Sequence, residues 1–246
     1  MEYPKINSLY KRQFTETDTK TGEIRFLDKG KSGNPLIIGD YACPEFAAIN
    51  RWTVTEKVDG TNIRIIYKDG NVTFGGRTEN AQIPRNLLKY LQETFGDWNL
   101  HKQFPCSESL EKLLDPFSND RAYPHVILFG EGYGPKIQSG GYYRKQPSFI
   151  LFDVYVDGLW LSRENVDALG EEMYIDTVPM LSSNGKGDWI WNTKDIEDFV
   201  RQRPISEVTQ VESHEMEGII ARSEPQMLFR DTKTPIMFKL KCRDFK

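Results

Sequence analysis

A lysine, Lys57, stands three residues before a glycine in the stretch Thr-Glu-Lys-Val-Asp-Gly-Thr-Asn-Ile-Arg (55–64), with carboxylates at Glu56 and Asp59 beside it. An amine becomes a nucleophile only once its proton is gone, a state favoured by burial or by neighbouring cations. Gly60 lets the backbone turn tightly and approach a ligand closely. The fixed positions of Lys-x-Asp-Gly also describe an ordinary surface turn with a solvated lysine, and average residue usage produces them by chance in about one chain of this length in twenty. Further along, one glutamate, Glu131, is embedded in Gly-Glu-Gly-Tyr-Gly (130–134), where the glycines would let a ligand reach its carboxylate. Two basic groups, Lys136 with Arg144 and Lys145, and Lys233 with Lys239, Lys241, Arg243 and Lys246, could meet phosphate or could form solvated faces.

Composition narrows what this chemistry can serve. The 246 residues are 38% hydrophobic and 28% charged, enough to bury a real core. A formal net charge of −4 excludes a molecule that binds nucleic acid by bulk charge, so phosphate must be met locally. Cys43, Cys106 and Cys242 are widely spaced and form no Cys-x-x-Cys pair, and His101, His125 and His214 are equally scattered. Free thiols in a reducing compartment are expected rather than a disulfide framework or a His/Cys metal site. No apolar run reaches the roughly 18 residues of a membrane span, and the first residues lack the pattern of a signal peptide. A soluble, cytoplasmic protein without a membrane partner is the expectation.

The elements that must position these residues can be read from periodicity and turn signals. Residues 1 to about 50 suggest loops and one or two short strands, among them Pro35-Leu36-Ile37-Ile38. Lys57 is read on a loop that feeds a strand. Ile63 to Tyr67, Asp69-Gly70 and Val72 to Phe74 predict a hairpin that delivers Gly75-Gly76-Arg77 on its far side. Pro84 opens a helix with Leu87, Leu88, Leu91 and Phe95 on one face, and residues 107–115 suggest a second helix that buries Leu110, Leu113 and Leu114. A strand from His125 to Phe129 ends at Glu131. Another, Ser148 to Val156, turns at Asp157-Gly158 into Leu159-Trp160-Leu161. Ser162 caps a helix carrying Val166, Leu169 and Met173, and a helix over 194–202 buries Ile196, Phe199 and Val200. Strands over 218–222 and 236–242 complete the chain. Helices and hairpins are segregated, which predicts an α+β fold of mainly antiparallel sheets with flanking helices.

Five pieces now stand in order: Glu-Lys-Val-Asp-Gly-Thr-Asn, Gly-Gly-Arg, Phe-Gly-Glu-Gly, Phe-Ile-Leu-Phe-Asp, and Met-Glu-Gly-Ile-Ile with Lys-Leu-Lys. In order and spacing they resemble motifs I to V of the covalent nucleotidyltransferases, the superfamily of ATP-dependent DNA ligases, RNA ligases and mRNA-capping guanylyltransferases, with its ATP-grasp-like catalytic domain. The resemblance spans Glu56 to Arg243. It is closest to the nick-sealing RNA ligases of the phage and RNA-editing type. Asn62 stands where DNA ligases usually have arginine, and Gly-Glu-x-x-Gly-x-x-Ile-Gln (130–138) is similar to that group's third motif. Asp59 departs from the group, which usually has histidine there; aspartate at this position is common in DNA ligases and in another RNA ligase type.

The resemblance implies an ATP-dependent RNA ligase. Lys57 would attack the α-phosphorus of ATP, giving lysyl-AMP; the AMP would pass to a 5′-phosphate RNA end, and a 3′-hydroxyl would then displace it. It also implies a nucleotide-binding set of Glu56, Asn62, Arg77, Glu131, Phe152, Lys239 and Lys241. In that set Glu131 meets the ribose hydroxyls, Phe152 stacks on adenine and Arg77 lies on the sugar-phosphate side. Lys239 and Lys241, alternate residues of a strand, share a face where they can neutralise phosphate. Glu217 is implied as the ligand of magnesium or manganese. The expected substrate is RNA with 3′-hydroxyl and 5′-phosphate ends at a nick or bridged break. Residues 1–246 are expected to form a single adenylyltransferase domain with no OB or other C-terminal domain, which leaves room for a strand-binding protein partner. The alternatives are an ATP-dependent DNA ligase and a non-catalytic nucleotide- or nucleic-acid-binding homologue.

Overall fold

The computed structural model describes residues 1–27, 33–68, 71–96, 125–138, 140–183, 185 and 187–245. The first part of the chain holds β1 (Asn7–Ser8), β2 (Tyr10–Arg12), β3 (Thr15–Thr17), β4 (Ile24–Phe26), β5 (Leu36–Tyr41), α1 (Pro44–Ala48) and β6 (Trp52–Lys57). The middle holds β7 (Thr61–Lys68), β8 (Asn71–Gly75), α2 (Arg85–Phe95), β9 (Val126–Tyr133), β10 (Ser148–Val156), β11 (Leu159–Trp160) and α3 (Arg163–Glu172). α4 (Thr193–Arg201), β12 (Gly218–Ser223) and β13 (Met237–Lys241) follow. These elements make two compact units, each assembled from separate stretches of chain.

One unit comprises Lys5–Lys57, Met180–Ile205 and Glu215–Lys246. Its main sheet runs β1-β13-β12-β6, antiparallel except for the β1–β13 pair. In β6 burial alternates along Trp-Thr-Val-Thr-Glu-Lys, as a strand with one covered face requires. Trp52, Val54, Ile219, Ala221, Phe238 and Leu240 are fully buried on that face with Ile196 and Val200 of α4. Each larger side chain of this set contributes about 1.5–3 kcal/mol relative to exposure. The Trp52 indole N–H donates to Thr193 Oγ1 at 3.0 Å, and the Asn192 side chain caps α4 by accepting from the Asp195 N–H at 2.9 Å.

The other unit comprises Met1–Pro4, Val58–Pro179 and Ser206–His214. Its antiparallel sheet runs β11-β10-β9-β7-β8. One face carries Ile63, Ile65, Val126, Leu128, Leu151 and Val154 against Leu87, Leu91 and Phe95 of α2 and Val166 and Leu169 of α3. A bulge between Leu151 and Asp153 shifts the alternation, so Phe149 and Leu151 before it and Val154 and Val156 after it all join this core. The Ser162 hydroxyl caps α3 by accepting from the Asn165 N–H at 3.4 Å.

The α+β class, the hairpin after residue 60, the helices begun at Pro84 and Ser162 and both C-terminal strands match expectation. The turn at 69–70 and the helix at 107–115 lie outside the described residues. Three readings are corrected. Among the described residues up to 50 there are five short strands and a helix rather than one or two strands, because strands two to six residues long carry too few positions for periodicity to register. Lys57 ends a strand rather than sitting on a loop. Glu131 lies inside β9 rather than at a strand's end. Among the described residues, no helix is long and apolar enough to cross a membrane.

Candidate active site

Strand register in the first unit sets Lys57 opposite Gly218 and Gly218 opposite Lys241, one row across three strands. Thr55, Ile220 and Lys239 form the next row. Paired residues of a sheet share a face, so Lys57, Lys239 and Lys241 project to the same side, away from the apolar core. Glu56 points to the opposite side and is 1% exposed.

Glu217 joins two of these lysines. Its Oε2 accepts from Lys57 Nζ at 2.5 Å, and its Oε1 accepts from Lys241 Nζ. The side chains are 23% (Lys57), 15% (Glu217) and 12% (Lys241) exposed, so solvent screens the triad only in part. Burial alone would raise the Glu217 carboxyl, but the charges of Lys57 and Lys241 and their hydrogen bonds outweigh it and hold it below the ordinary carboxylate value. Among the described residues no group of three or more His, Cys, Asp or Glu could hold a metal by itself. Glu217 suits a hard cation that takes most of its oxygens from water and substrate phosphates, as magnesium does.

Gly218 is what allows the row to close. A Cβ there would stand 2.1 Å from the Leu240 carbonyl oxygen and 2.6 Å from Lys241 Cα, at a φ of +157°. Gly218→Ala is therefore expected to force β12 and β13 apart, costing about 2 kcal/mol and lowering the melting temperature by on the order of 5 °C. An unchanged thermal unfolding curve would show that the row tolerates a side chain.

In the second unit, register sets Asn62 opposite Glu131 and Glu131 opposite Ile150. A Cβ on Gly60 would lie 2.4 Å from the Gly132 oxygen and 2.9 Å from Glu131 Cγ, so the turn after Val58 rests directly on Glu131. Asn62 Oδ1 is buried and has no hydrogen-bond partner among the described residues. An acceptor in that condition, beside a carboxylate, fits a ligand that brings hydroxyl donors, as a ribose does. Phe152 occupies the bulge of β10. Its ring meets that of Tyr3 edge-on at 4.9 Å, and the Tyr3 hydroxyl donates to Asp153 Oδ2 at 2.5 Å. Arg77 is exposed, two residues beyond β8. The buried arginine nearby is Arg64, which donates to the Gly76 and Met1 carbonyls at 2.7 Å each. The basic group at 136–145 divides: Arg144 pairs with Asp176 and lies over the Tyr133 ring, while Lys136 and Lys145 are exposed.

The RNA ligase family matches residues 50–241, a span that takes in every site residue from Glu56 to Lys241. The chain belongs to the RNA ligase family. No curated protein matches the chain. Among solved structures, this family member is similar to a Naegleria gruberi RNA ligase. The form with pyrophosphate is 18% identical with a TM-score of 0.50, over 78% of this chain and 49% of that one. A point mutant with AMP and manganese is 17% identical with a TM-score of 0.50, over 80% and 52%, and an apo point mutant is 17% identical with a TM-score of 0.50, over 80% and 50%. At these identities the likeness is one of fold. The chain thus spans about half the length of these solved relatives.

Nothing in the sequence pattern marks Tyr143, whose hydroxyl accepts from the Asp59 N–H at 3.1 Å. The contact of Tyr3 with Phe152 is equally unmarked. Neither tyrosine lies in a motif, and their neighbours, at 1–4 and in Gly-Gly-Tyr-Tyr-Arg, have no periodicity that would mark them.

Proposed function

We propose that the chain is the adenylyltransferase part of an ATP-dependent RNA ligase, with the whole of it acting as one catalytic domain. The observation that carries this reading is the carboxylate of Glu217 held between Lys57 and Lys241 in a chain that belongs to the RNA ligase family. Lys57 Nζ, once it has released its proton to solvent water, gives its lone pair to the α-phosphorus of ATP, and the second proton of the new P–N nitrogen leaves to water as well. A P–N bond forms, and the P–O bond to pyrophosphate breaks with its electron pair. Glu217, held below the ordinary carboxylate range, is a poor resting place for that proton, so it orients the amine rather than acting as the general base. Magnesium or manganese would neutralise charge at the α-phosphate, with Glu217 as its protein ligand. Lys239 and Lys241 oppose the same negative charge. Glu131 takes the ribose hydroxyls of ATP, Phe152 the adenine and Arg77 the sugar-phosphate side. Any part played by Glu56 runs through its backbone, since its side chain faces the core.

The proposed substrate is RNA with 3′-hydroxyl and 5′-phosphate ends, at a nick or a bridged break, with room for a strand-binding protein partner. Asn62 supports RNA because a buried acceptor without a partner discriminates for a donor such as a 2′-hydroxyl. Asp59 is shared by DNA ligases and another RNA ligase type, so a direct comparison of the two substrates is the test. Nicked duplexes that differ only in the sugar on the 3′-hydroxyl side are expected to seal about tenfold faster or more with ribose, and Asn62→Ala is expected to shrink that ratio. Equal or faster sealing of the all-DNA nick would make the protein a DNA ligase.

A further inference from the structure

We propose that Tyr143 is a positioning residue for the nucleophile, an inference that rests on the reading of Lys57 as the adenylylated residue. Val58 and Asp59, the two residues that follow Lys57 along the chain, lie outside the strands. The Asp59 N–H must therefore find its partner away from the sheet ladder. It donates to the Tyr143 hydroxyl at 3.1 Å. Val58 is 3% exposed and belongs to a small apolar cluster with Tyr133, Tyr143, Ile150, Val178 and Val208. The hydroxyl of Tyr143 thus holds Asp59, and its ring belongs to the cluster that buries Val58, the residue one peptide bond from the reacting lysine.

Tyr143 is itself held rigidly. Its ring meets His214 at 4.7 Å and Tyr133 at 5.7 Å, both edge-on. Its carbonyl accepts from the Gln210 N–H at 2.9 Å, and the Tyr142 carbonyl accepts from the Thr209 hydroxyl at 2.9 Å. Those partners come from the loop that the Ser206 N–H closes onto the His214 carbonyl, also at 2.9 Å. A tyrosine gripped from both sides presents its oxygen at a fixed point. Packing alone would be served by phenylalanine, and a buried hydroxyl is costly unless it is used. Here it is used on an amide of the turn next to the nucleophile. Without it, the turn samples more positions and the amine spends less time in line with the phosphorus.

Single-turnover transfer of AMP from ATP to the protein, compared in wild type, Tyr143→Phe and Tyr142→Phe, tests this. Tyr143→Phe is expected to lower the rate constant at saturating ATP about tenfold. The final extent of labelling and the melting temperature should stay at wild-type values, and the Asp59 amide should exchange its hydrogen faster. Tyr142→Phe, which removes a neighbouring exposed hydroxyl, should leave the rate constant unchanged. A wild-type rate constant in Tyr143→Phe would overturn the proposal. So would a loss of extent or of melting temperature at an unchanged rate constant, which would make Tyr143 a packing residue only, or equal slowing by Tyr142→Phe. Absence of labelling in the wild type would instead remove the reading of Lys57 on which the proposal stands.

Discussion

Lys57→Arg is expected to abolish transfer of AMP to the protein while leaving the fold intact. Arginine keeps a cation against Glu217 and so preserves the pairing seen for Lys57 at 2.5 Å. Its guanidinium does not give up a proton in proteins, however, and offers no lone pair to phosphorus. Lys57→Met separates the two contributions in the other direction. It fills the space of the lysine stem but leaves the carboxylate with Lys241 alone. Both variants should lose labelling by at least about a thousandfold, as expected when a covalent nucleophile is removed. Only Lys57→Met should also lower the melting temperature. Radiolabelling from ATP, read beside thermal unfolding, checks both. Wild-type labelling of Lys57→Arg would place the nucleophile elsewhere.

Glu217→Gln should cost on the order of a hundredfold in labelling rate, the usual loss when one preorganised charge is taken from a reacting site. Glutamine keeps the shape but only one acceptor, so the change removes the negative charge together with one of the two lysine hydrogen bonds. The same variant should alter the pH dependence of stability. The folded-state value of the Glu217 carboxyl lies below its ordinary 4.5, so its ion pairs stabilise the protein above that pH. That stabilisation is lost as the pH falls through the depressed folded value. Acidification below about pH 4.5 should therefore lower the melting temperature of the wild type more steeply than that of Glu217→Gln, closing the gap between them. Parallel curves would mean that the ion pairs with Lys57 and Lys241 contribute nothing to folding.

The parts of this chain that its sequence makes legible are those in which one physical signal acts alone. Leu87, Leu91 and Phe95 recur at helical spacing behind a proline, and the strand over 148–156 is bounded by a clear Asp-Gly turn; both elements are found where expected. The row of Lys57, Gly218 and Lys241 was not legible. Lys57 is separated from Gly218 and Lys241 by the whole middle of the chain, and only the register of β6, β12 and β13 aligns them. The alternation of lysines at 239 and 241 did announce a shared face. β6 was missed because a buried carboxylate, Glu56, interrupts its apolar face where periodicity expects a hydrophobic residue. Phe152 was read from its motif, but a bulge shifts which neighbours face which side, and a strict two-residue alternation has no means of showing that. Tyr143 acts through a single hydroxyl on a backbone amide, and backbone partners leave no trace in side-chain pattern.

Intact-protein mass spectrometry of the wild-type chain after incubation with ATP and magnesium, followed by peptide mapping, tests the central claim most directly. The expected result is one AMP adduct per chain, carried on Lys57 and discharged when pyrophosphate is added back. An unmodified mass, or an adduct that Lys57→Ala carries equally well, would contradict covalent catalysis by this lysine.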